Sequence, residues 1–239
     1  MKFIFLLIFV SCAGTTTLKE NKVSGVSLFS YEDGSGVYNY SRETKVQNNK
    51  VITRAIISDK DGNPLETAVT VSKLGKISST NKAAMLPEAS QFQVWFSKKK
   101  YQSQLKVIPS RKQIVGQVKY PDKDEESFSF DLKDARYYCF FSQLPECIEM
   151  QDILVEARTK SLFIYIIWDN YPFNSEQYDK MPKGVATLAK FSYSQKQKDS
   201  LGFELDIGNQ IIHLHFNRQI KFEKMFWIAQ GISITKKGS

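Results

Sequence analysis

The residues of this chain best suited to chemistry are its two histidines, His213 and His215. Residues two apart in a β-strand project from the same face, so both imidazoles can reach one metal ion. The pair Gly208-Asn209 predicts a tight turn, and counting back from it places Glu204 opposite His213. Two histidines and a carboxylate form a recognised metal-ligand set. The spacing therefore permits a metal-dependent hydrolase.

The same register has a simpler interpretation. The intervening residues are apolar and share the opposite face of the hairpin: Phe203, Leu205, Ile207, Ile212, Leu214 and Phe216. Such a hairpin has one core side and one solvent side, and Glu204 and His213 then form an ordinary cross-strand pair. Because the sequence also has no Gly-x-Ser-x-Gly, His-Glu-x-x-His or phosphate-binding glycine loop, we expect neither a catalytic site nor a metal or other cofactor.

Aromatic residues are a second candidate for function. The chain has 17 Phe, 11 Tyr and 3 Trp. Some of them could line a concave sheet and form a wall for an acyl chain or another apolar ligand. The five candidates are Trp95, Phe96, Tyr165, Trp168 and Trp227. Plain core packing is the alternative.

A long loop is predicted between about Asp169 and Lys183, because Pro172, Asn174 and Pro182 interrupt any regular pattern. Long loops are often functional. Tyr171 and Phe173 are therefore candidates for a mobile lid or a partner contact, with simple packing as the alternative.

Period-two patterning predicts that β-strands build most of the chain. The clearest case is Phe128, Phe130 and Leu132, which alternate with polar residues. Asp59-Lys60-Asp61-Gly62-Asn63 resembles a calcium loop, but its glycine comes too early for that spacing, so a hairpin tip explains it better. The stretch from Ser78 to Glu88 is predicted to be a polar break.

One helix is predicted, from about Pro145 to Arg158. Proline suits the first helical turn, and Cys147, Met150 and Leu154 recur at helical spacing. About a dozen antiparallel strands are too many for a flat sheet, which would curl or split. The expected fold class is mainly β, a β-rich α+β fold: a strongly curved antiparallel sheet or partial barrel, with one helix near 145–158.

The first residues predict export. A basic start, an apolar run from Phe3 to Val10 and the small residues Ser11-Cys12-Ala13-Gly14 are typical of a secretory signal. The segment resembles the lipobox of bacterial lipoprotein precursors, although Phe9 and Val10 depart from that pattern. The resemblance implies that Cys12 becomes the lipidated first residue. Ordinary cleavage at the small-x-small site Ser11-Cys12-Ala13 is the alternative.

The domain organisation follows from this leader. Residues 1–12 are the predicted leader, 13–25 a flexible tether too polar to pack, and 26–239 one β-rich domain, with a subdivision near 145 as the alternative. Cys139 and Cys147 remain as an even pair, and an oxidising envelope would let them form a disulfide. Two reduced, packed thiols are the alternative.

At the level of fold, this combination resembles the half-barrel carriers of lipids and lipoproteins, the LolA/LolB type. The resemblance implies a non-catalytic envelope lipoprotein, anchored by lipid on the outer membrane, that binds an apolar ligand or a lipoprotein. The alternative is a structural or interaction lipoprotein with a filled core. Its net charge of +8 would then attract a protein partner or an anionic envelope polymer, while export makes nucleic acid an unsuitable partner.

Overall fold

The computed structural model describes residues 24–77, 82–96, 98–133, 135–151, 153–196 and 200–238. Cys12, the rest of the predicted leader and most of the predicted tether lie outside these ranges. Within them, fifteen strands form one sheet. The strands are β1 (Gly25–Asp33), β2 (Gly36–Gln47), β3 (Lys50–Ser58), β4 (Pro64–Ile77), β5 (Lys82–Phe96), β6 (Lys99–Ile108), β7 (Gln113–Lys119), β8 (Glu126–Asp131), β9 (Tyr137–Phe140), β10 (Leu162–Ile167), β11 (Ala186–Lys196), β12 (Ser200–Asp206), β13 (Ile211–Asn217), β14 (Phe222–Trp227) and β15 (Ile232–Lys236).

Three short α-helices accompany the sheet: α1 (Leu144–Met150), α2 (Ile153–Ala157) and α3 (Asn174–Gln177). None of the helices in the described ranges has the length and apolar character needed to cross a bilayer. The predicted polar break from 78 to 88 is partly wrong, because β5 already begins at Lys82.

The sheet consists of two meanders joined through the first and last strands. β1 to β8 follow one another as neighbours, and so do β10 to β15. β1 pairs with β15, for example Tyr31 with Ile234, which joins the meanders in the middle of the sheet. β9 lies at one edge and runs parallel to β10. The sheet is therefore mixed rather than wholly antiparallel, because α1 and α2 supply the crossover that a parallel pair needs.

The sheet curls until its two ends overlap. Leu105 of β6 and Ile114 of β7 share a buried cluster with Phe140 of β9 and Ile167 of β10. The edge strands β8 and β9 lie at opposite ends of the hydrogen-bonded order, so the sheet does not close. Accumulated strand twist forces so long a sheet to curl. The predicted strongly curved, mainly β fold is confirmed.

The segment from Phe141 to Ala157 occupies the concave side. The helix predicted from Pro145 to Arg158 is present as α1 and α2, which are interrupted at Gln151. The Gln151 side chain accepts a hydrogen bond from the Met85 amide at 3.0 Å and donates one to the Cys147 carbonyl at 3.2 Å. It thus binds strand β5 and the preceding helical turn at the point where the helix is broken.

The inner face of β3 and β4 offers hydroxyl groups to this segment. Gln143 donates its amide hydrogens to the Val51 carbonyl at 3.1 Å and to the Thr53 hydroxyl at 3.0 Å. Ser72 donates to the Gln143 carbonyl oxygen at 2.6 Å. Gln143 is fully buried, so these bonds replace the water that it loses.

A buried ion pair completes the attachment. Arg42 of β2 pairs with Glu146 of α1 and also donates to the Tyr40 hydroxyl. The second Glu146 oxygen accepts a hydrogen bond from Thr44 at 2.9 Å. A buried pair is tolerated only when its remaining polar atoms are also bonded, and here they are.

A disulfide joins Cys139 of β9 to Cys147 of α1, as predicted. It ties the edge strand to the helical segment that covers it. For a loop closed by a sequence separation of 8, chain entropy accounts for about 2.5 kcal/mol of stabilisation. That contribution fastens one strand, whereas the buried cluster of apolar side chains holds the whole sheet.

We predict that Glu146→Ala lowers the free energy of unfolding by about 3–5 kcal/mol, because Arg42 is left as a buried charge without its carboxylate. The control is Glu43→Ala, which removes an exposed pair with Lys45 and should lower the free energy of unfolding far less. Urea unfolding followed by tryptophan fluorescence measures both. Equal, small losses in the two variants would contradict the role assigned to the buried pair.

Candidate functional site

A cavity remains between the helical segment and the loop that follows β10. Its volume is about 70 Å³, and it is partly open to solvent. Both halves of the sheet contribute to its wall, together with residues from Phe141 to Pro145 and from Asp169 to Tyr178. This volume holds about five water molecules. It is smaller than the roughly 300–1,000 Å³ pockets that hold drug-sized ligands.

One end of the cavity is polar. Glu66 projects from the inner face of β4 and accepts a hydrogen bond from Gln177 of α3 at 3.2 Å. Gln177 in turn accepts one from the Asn170 side-chain amide at 2.9 Å. Asp169 accepts one from the Ser142 backbone amide at 3.0 Å. Strand, loop and helical segment therefore converge on the same few polar atoms.

Asn170 supplies an acceptor that is unused. Its side chain is only 5% exposed, and it lines the cavity. In the part of the chain that the structure describes, its Oδ1 has no hydrogen-bond partner. A buried polar atom without a partner costs roughly 1–3 kcal/mol, so such an atom facing a cavity indicates that a ligand or water completes it.

Both carboxyl groups at this end are shifted in pKa by their surroundings. Burial raises the pKa of Glu66 to about 7, with the charge of Asp169 adding to the rise and the Gln177 hydrogen bond opposing it. Burial likewise raises the pKa of Asp169, against the lowering effects of Ser142 and Arg42. Burial also raises the pKa of Tyr178 well above its ordinary value. The polar end thus resists negative charge.

Most of the remaining lining is apolar. It comes from β3 to β5, from β13 to β15 and from the helical segment. The apolar lining residues are Ala55, Ile57, Ala68, Phe92, Phe141, Leu144, Leu214, Phe222, Met225, Trp227, Ile232 and Ile234. A ligand with a polar group and a short hydrocarbon part matches a lining that combines polar groups with apolar side chains.

The two histidines lie outside the cavity, on the outer face of β13. The predicted register is confirmed, with Glu204 opposite His213. The Glu204 carboxylate is 3.7 Å from His213 Nδ1 and accepts a hydrogen bond from Ser194 at 3.0 Å. Burial and the charge of Lys224 lower the pKa of His215. Among the described residues, no group of three His, Cys, Asp or Glu side chains is arranged to hold a metal.

Two of the three tryptophans belong to the packed interior. Trp168 and Trp227 are fully buried, with ring centroids 6.2 Å apart, and Phe141 packs on Trp168 at 4.8 Å. Trp227 lines the cavity and donates a hydrogen bond to Gln210 at 2.7 Å. Of the five candidates for a ligand wall, Trp227 is the one that borders the cavity.

The other wall candidates lie elsewhere. Trp95 is on the face of β5 opposite Phe92 and Val94, where Lys100 lies 5.6 Å from its ring centroid. Phe96 is 37% exposed at the end of that strand, and Tyr165 packs against Tyr138 at 5.8 Å. The five aromatic residues therefore do not form one wall, because they occupy different faces and ends of the sheet.

The loop aromatics are packed rather than exposed. Phe173 is fully buried, with ring centroids 5.6 Å from both Tyr101 and Tyr120. Tyr171 packs on Phe128 at 5.1 Å. Both rings thus pack against the sheet, and the loop that they anchor contains α3.

Sequence analysis missed the polar end of the cavity. Glu66 alternates with apolar neighbours and therefore looks like a solvent-facing residue, while Asp169 and Asn170 fall in the predicted loop. The available signal was the composition of β4. The face of that strand that carries Glu66 continues with Ala68 and Thr70, and small residues leave room beside a half-buried acid.

Comparison with known proteins shows a structural likeness. The chain resembles the crystal structure of a beta-barrel-like protein of the domain of unknown function DUF1849 from Brucella abortus. The TM-score is 0.47 at 11% identity, over 89% of this chain and 94% of that chain. No protein-family model matches the sequence, and no curated protein is significantly similar to it.

We predict that Glu66→Gln changes how stability depends on pH. A carboxyl with a raised native pKa binds more protons in the folded chain than in the unfolded chain, where the pKa is about 4.3. Its stabilising contribution is complete below pH 4 and is lost as the pH rises through 7. Between pH 5 and 8 the wild type should therefore lose about 2–3 kcal/mol relative to the variant.

Urea unfolding at each pH measures this difference. The control is Glu32→Gln, which neutralises an exposed carboxylate of β1 and should leave the wild-type pH profile unchanged. Parallel profiles for wild type and Glu66→Gln would show that Glu66 is not a buried acid.

Proposed function

We propose that this protein is a non-catalytic protein of the bacterial cell envelope that binds a small amphipathic ligand inside its curved sheet. The observation that carries the proposal is the cavity itself, in which Glu66, Asp169 and Asn170 lie within an otherwise largely apolar lining. An apolar pocket with a few convergent polar groups is typical of a ligand site.

The size of the cavity limits the ligand. If each non-hydrogen atom needs as much space as one water molecule, about 70 Å³ accommodates roughly five such atoms. A complete acyl chain is longer than this, so a lipid or lipoprotein would insert only a short segment. The fully buried Trp168, Phe191 and Phe203 fill much of the remaining interior.

Location is the second part of the proposal. The leader with Cys12 supports export and lipid anchoring. The Cys139–Cys147 disulfide supports an oxidising compartment, where such bonds persist. A tether between Cys12 and β1 would hold the domain near the membrane surface.

A second candidate function is interaction with a protein partner through the outer surface. Phe163 of β10 and Leu188 of β11 are 57% and 52% exposed on neighbouring strands. Exposed apolar residues on a sheet are typical of contact surfaces when they form a patch. In this second function the cavity binds no ligand. An anionic envelope polymer that contacts the surface lysines is the other partner of this kind.

We predict that Ala68→Phe abolishes binding of n-butanol, a neutral amphipathic probe, because the new ring fills the cavity. Amide chemical shifts in ¹H–¹⁵N NMR titrations measure the affinity and locate the site. In the wild type, saturable shifts should occur at cavity residues such as Ala55 and Ile232, and Ala68→Phe should weaken binding at least tenfold. The control is Val69→Phe, on the opposite face of β4, which should bind like the wild type.

Absence of saturable shifts at the cavity in the folded wild type would exclude the ligand-binding proposal and favour the surface-interaction candidate. Circular dichroism of Ala68→Phe establishes that the variant is folded. An unchanged affinity in a folded Ala68→Phe would place the n-butanol site elsewhere.

We predict that the mature protein, expressed in a bacterial host that processes lipoproteins, begins at a diacylglyceryl-modified Cys12. Mass spectrometry of the purified N-terminal peptide measures this. Cys12→Ser should lack the lipid mass and leave the membrane fraction. A mature chain that retains Met1 would contradict export, and one that begins at Gly14 would support export without an anchor.

A further inference from the structure

The charges around the cavity are unbalanced. Its titratable lining residues are Glu66, Asp169, Arg42, Tyr31, Tyr40 and Tyr178. Arg42 is the one cation among the described lining residues, and it is already bound to Glu146 outside the lining. The two remaining carboxyl groups have amide donors but no cationic partner in the described lining. When ionised, the two carboxyl groups therefore lack a matching positive group in the described lining, and a bound cation would offset the burial that disfavours their charged form.

From this arrangement we infer that the ligand is a small primary alkylamine, bound as its ammonium ion at the polar end of the cavity. The inference rests on the proposed ligand-binding function and adds the chemical class of the ligand. The shape of the cavity does not distinguish between head groups, because an alcohol or a carboxylate of the same length has the same hydrocarbon part. The charges around the cavity do distinguish them.

Three residues with acceptor oxygens line the cavity, and an ammonium group has three hydrogens to donate. Asn170 Oδ1 is buried and without a partner among the described residues. Glu66 is connected to Asn170 through Gln177, which bonds to both side chains. Asp169 is the neighbour of Asn170 in the chain, and its charge acts on Glu66. A donor-only cation bound here would supply a partner for the Asn170 amide oxygen and a positive charge beside the two carboxyl groups.

The surrounding rings also favour a cation. Tyr31, Tyr178 and Trp227 all line the cavity. Tyr178 and Trp227 pack against each other with ring centroids 4.8 Å apart. The faces of such rings attract ammonium ions. The apolar end, with Ile232 and Leu214, then accommodates the alkyl chain.

The same lining disfavours an anionic ligand. A carboxylate or phosphate would lie beside Glu66 and Asp169, and Arg42 could reach it only by leaving Glu146 as a buried, unpaired charge. Breaking a buried pair in this way costs several kcal/mol. The same site that accepts an amine therefore rejects fatty-acid and phosphate head groups.

The test compares three probes of equal length, n-butylamine, n-butanol and butyrate, by NMR titration of the wild type at pH 8. We expect n-butylamine to bind at least tenfold more tightly than butyrate and more tightly than n-butanol. In Glu66→Gln the amine should lose its advantage over n-butanol, whereas the exposed Glu32→Gln should retain it.

A pH series on the wild type gives a second measurement that needs no variant. With Glu66 titrating near pH 7, n-butylamine affinity should fall about tenfold from pH 8 to pH 6, while n-butanol affinity stays within twofold. Burial also raises the pKa of Asp169, whereas the lining tyrosines stay protonated over this range because burial raises their pKa values, and Arg42 remains charged throughout.

The outcomes separate the two proposals. If n-butanol binds in the cavity and n-butylamine binds no better than butyrate, the amine inference is overturned and the ligand-binding function stands. The amine inference is likewise overturned if n-butylamine binding shows no pH dependence and no effect of Glu66→Gln. If none of the three probes shifts the cavity residues, the ligand-binding function itself fails.

Discussion

The fold depends on a polar attachment between the helical segment and the concave face of the sheet. Without that segment, the inner faces of β2 to β5 would be open to water. Arg42 with Glu146, Gln143 with Thr53, and Gln151 with the Met85 amide bind it at separate strands. These bonds pair most of the polar atoms that the segment buries. Polar groups can be buried at little cost only when they are paired in this way. Apolar burial supplies most of the stabilisation, and the polar bonds specify where the segment lies.

The position of the cavity follows from this attachment. The helical segment fills one part of the interior, and the loop after β10 covers another part through Phe173 and Tyr171. Strands of both meanders border the space between them. Its polar groups come from Arg42 and Glu66 of the first meander and from Asp169 and Asn170 of the loop, within a lining that is otherwise largely apolar and aromatic.

Sequence patterning predicted the elements whose two faces differ clearly. The hairpin with Glu204 opposite His213 was correct to the residue because Phe203, Leu214 and their neighbours mark the buried face without interruption. β1 was missed because few of its residues are deeply buried, and β9 because four residues are too short for a period to show. The parallel pairing of β9 with β10 depends on a crossover that no local pattern encodes.

The candidate site was harder to predict than the fold. Glu66 and Asp169 have the local sequence of solvent-facing residues, and only the curl of the sheet turns them toward one cavity. The aromatic surplus pointed to the interior in general, yet Trp95 lies on the other face of β5 because Phe92 and Val94 take the inner positions. Convergence of distant residues is a property of the tertiary structure, which one-dimensional periodicity does not contain.

The pairing of β1 with β15 sets an order of events for the newly made polypeptide. β1 is synthesised early, and one of its edges has no partner strand until β15 (Ile232–Lys236) has folded beside it. Such a sequence-distant contact delays folding, since the chain must first close a long loop. The central seam thus makes completion of the sheet depend on one contact between two segments that lie far apart in the chain.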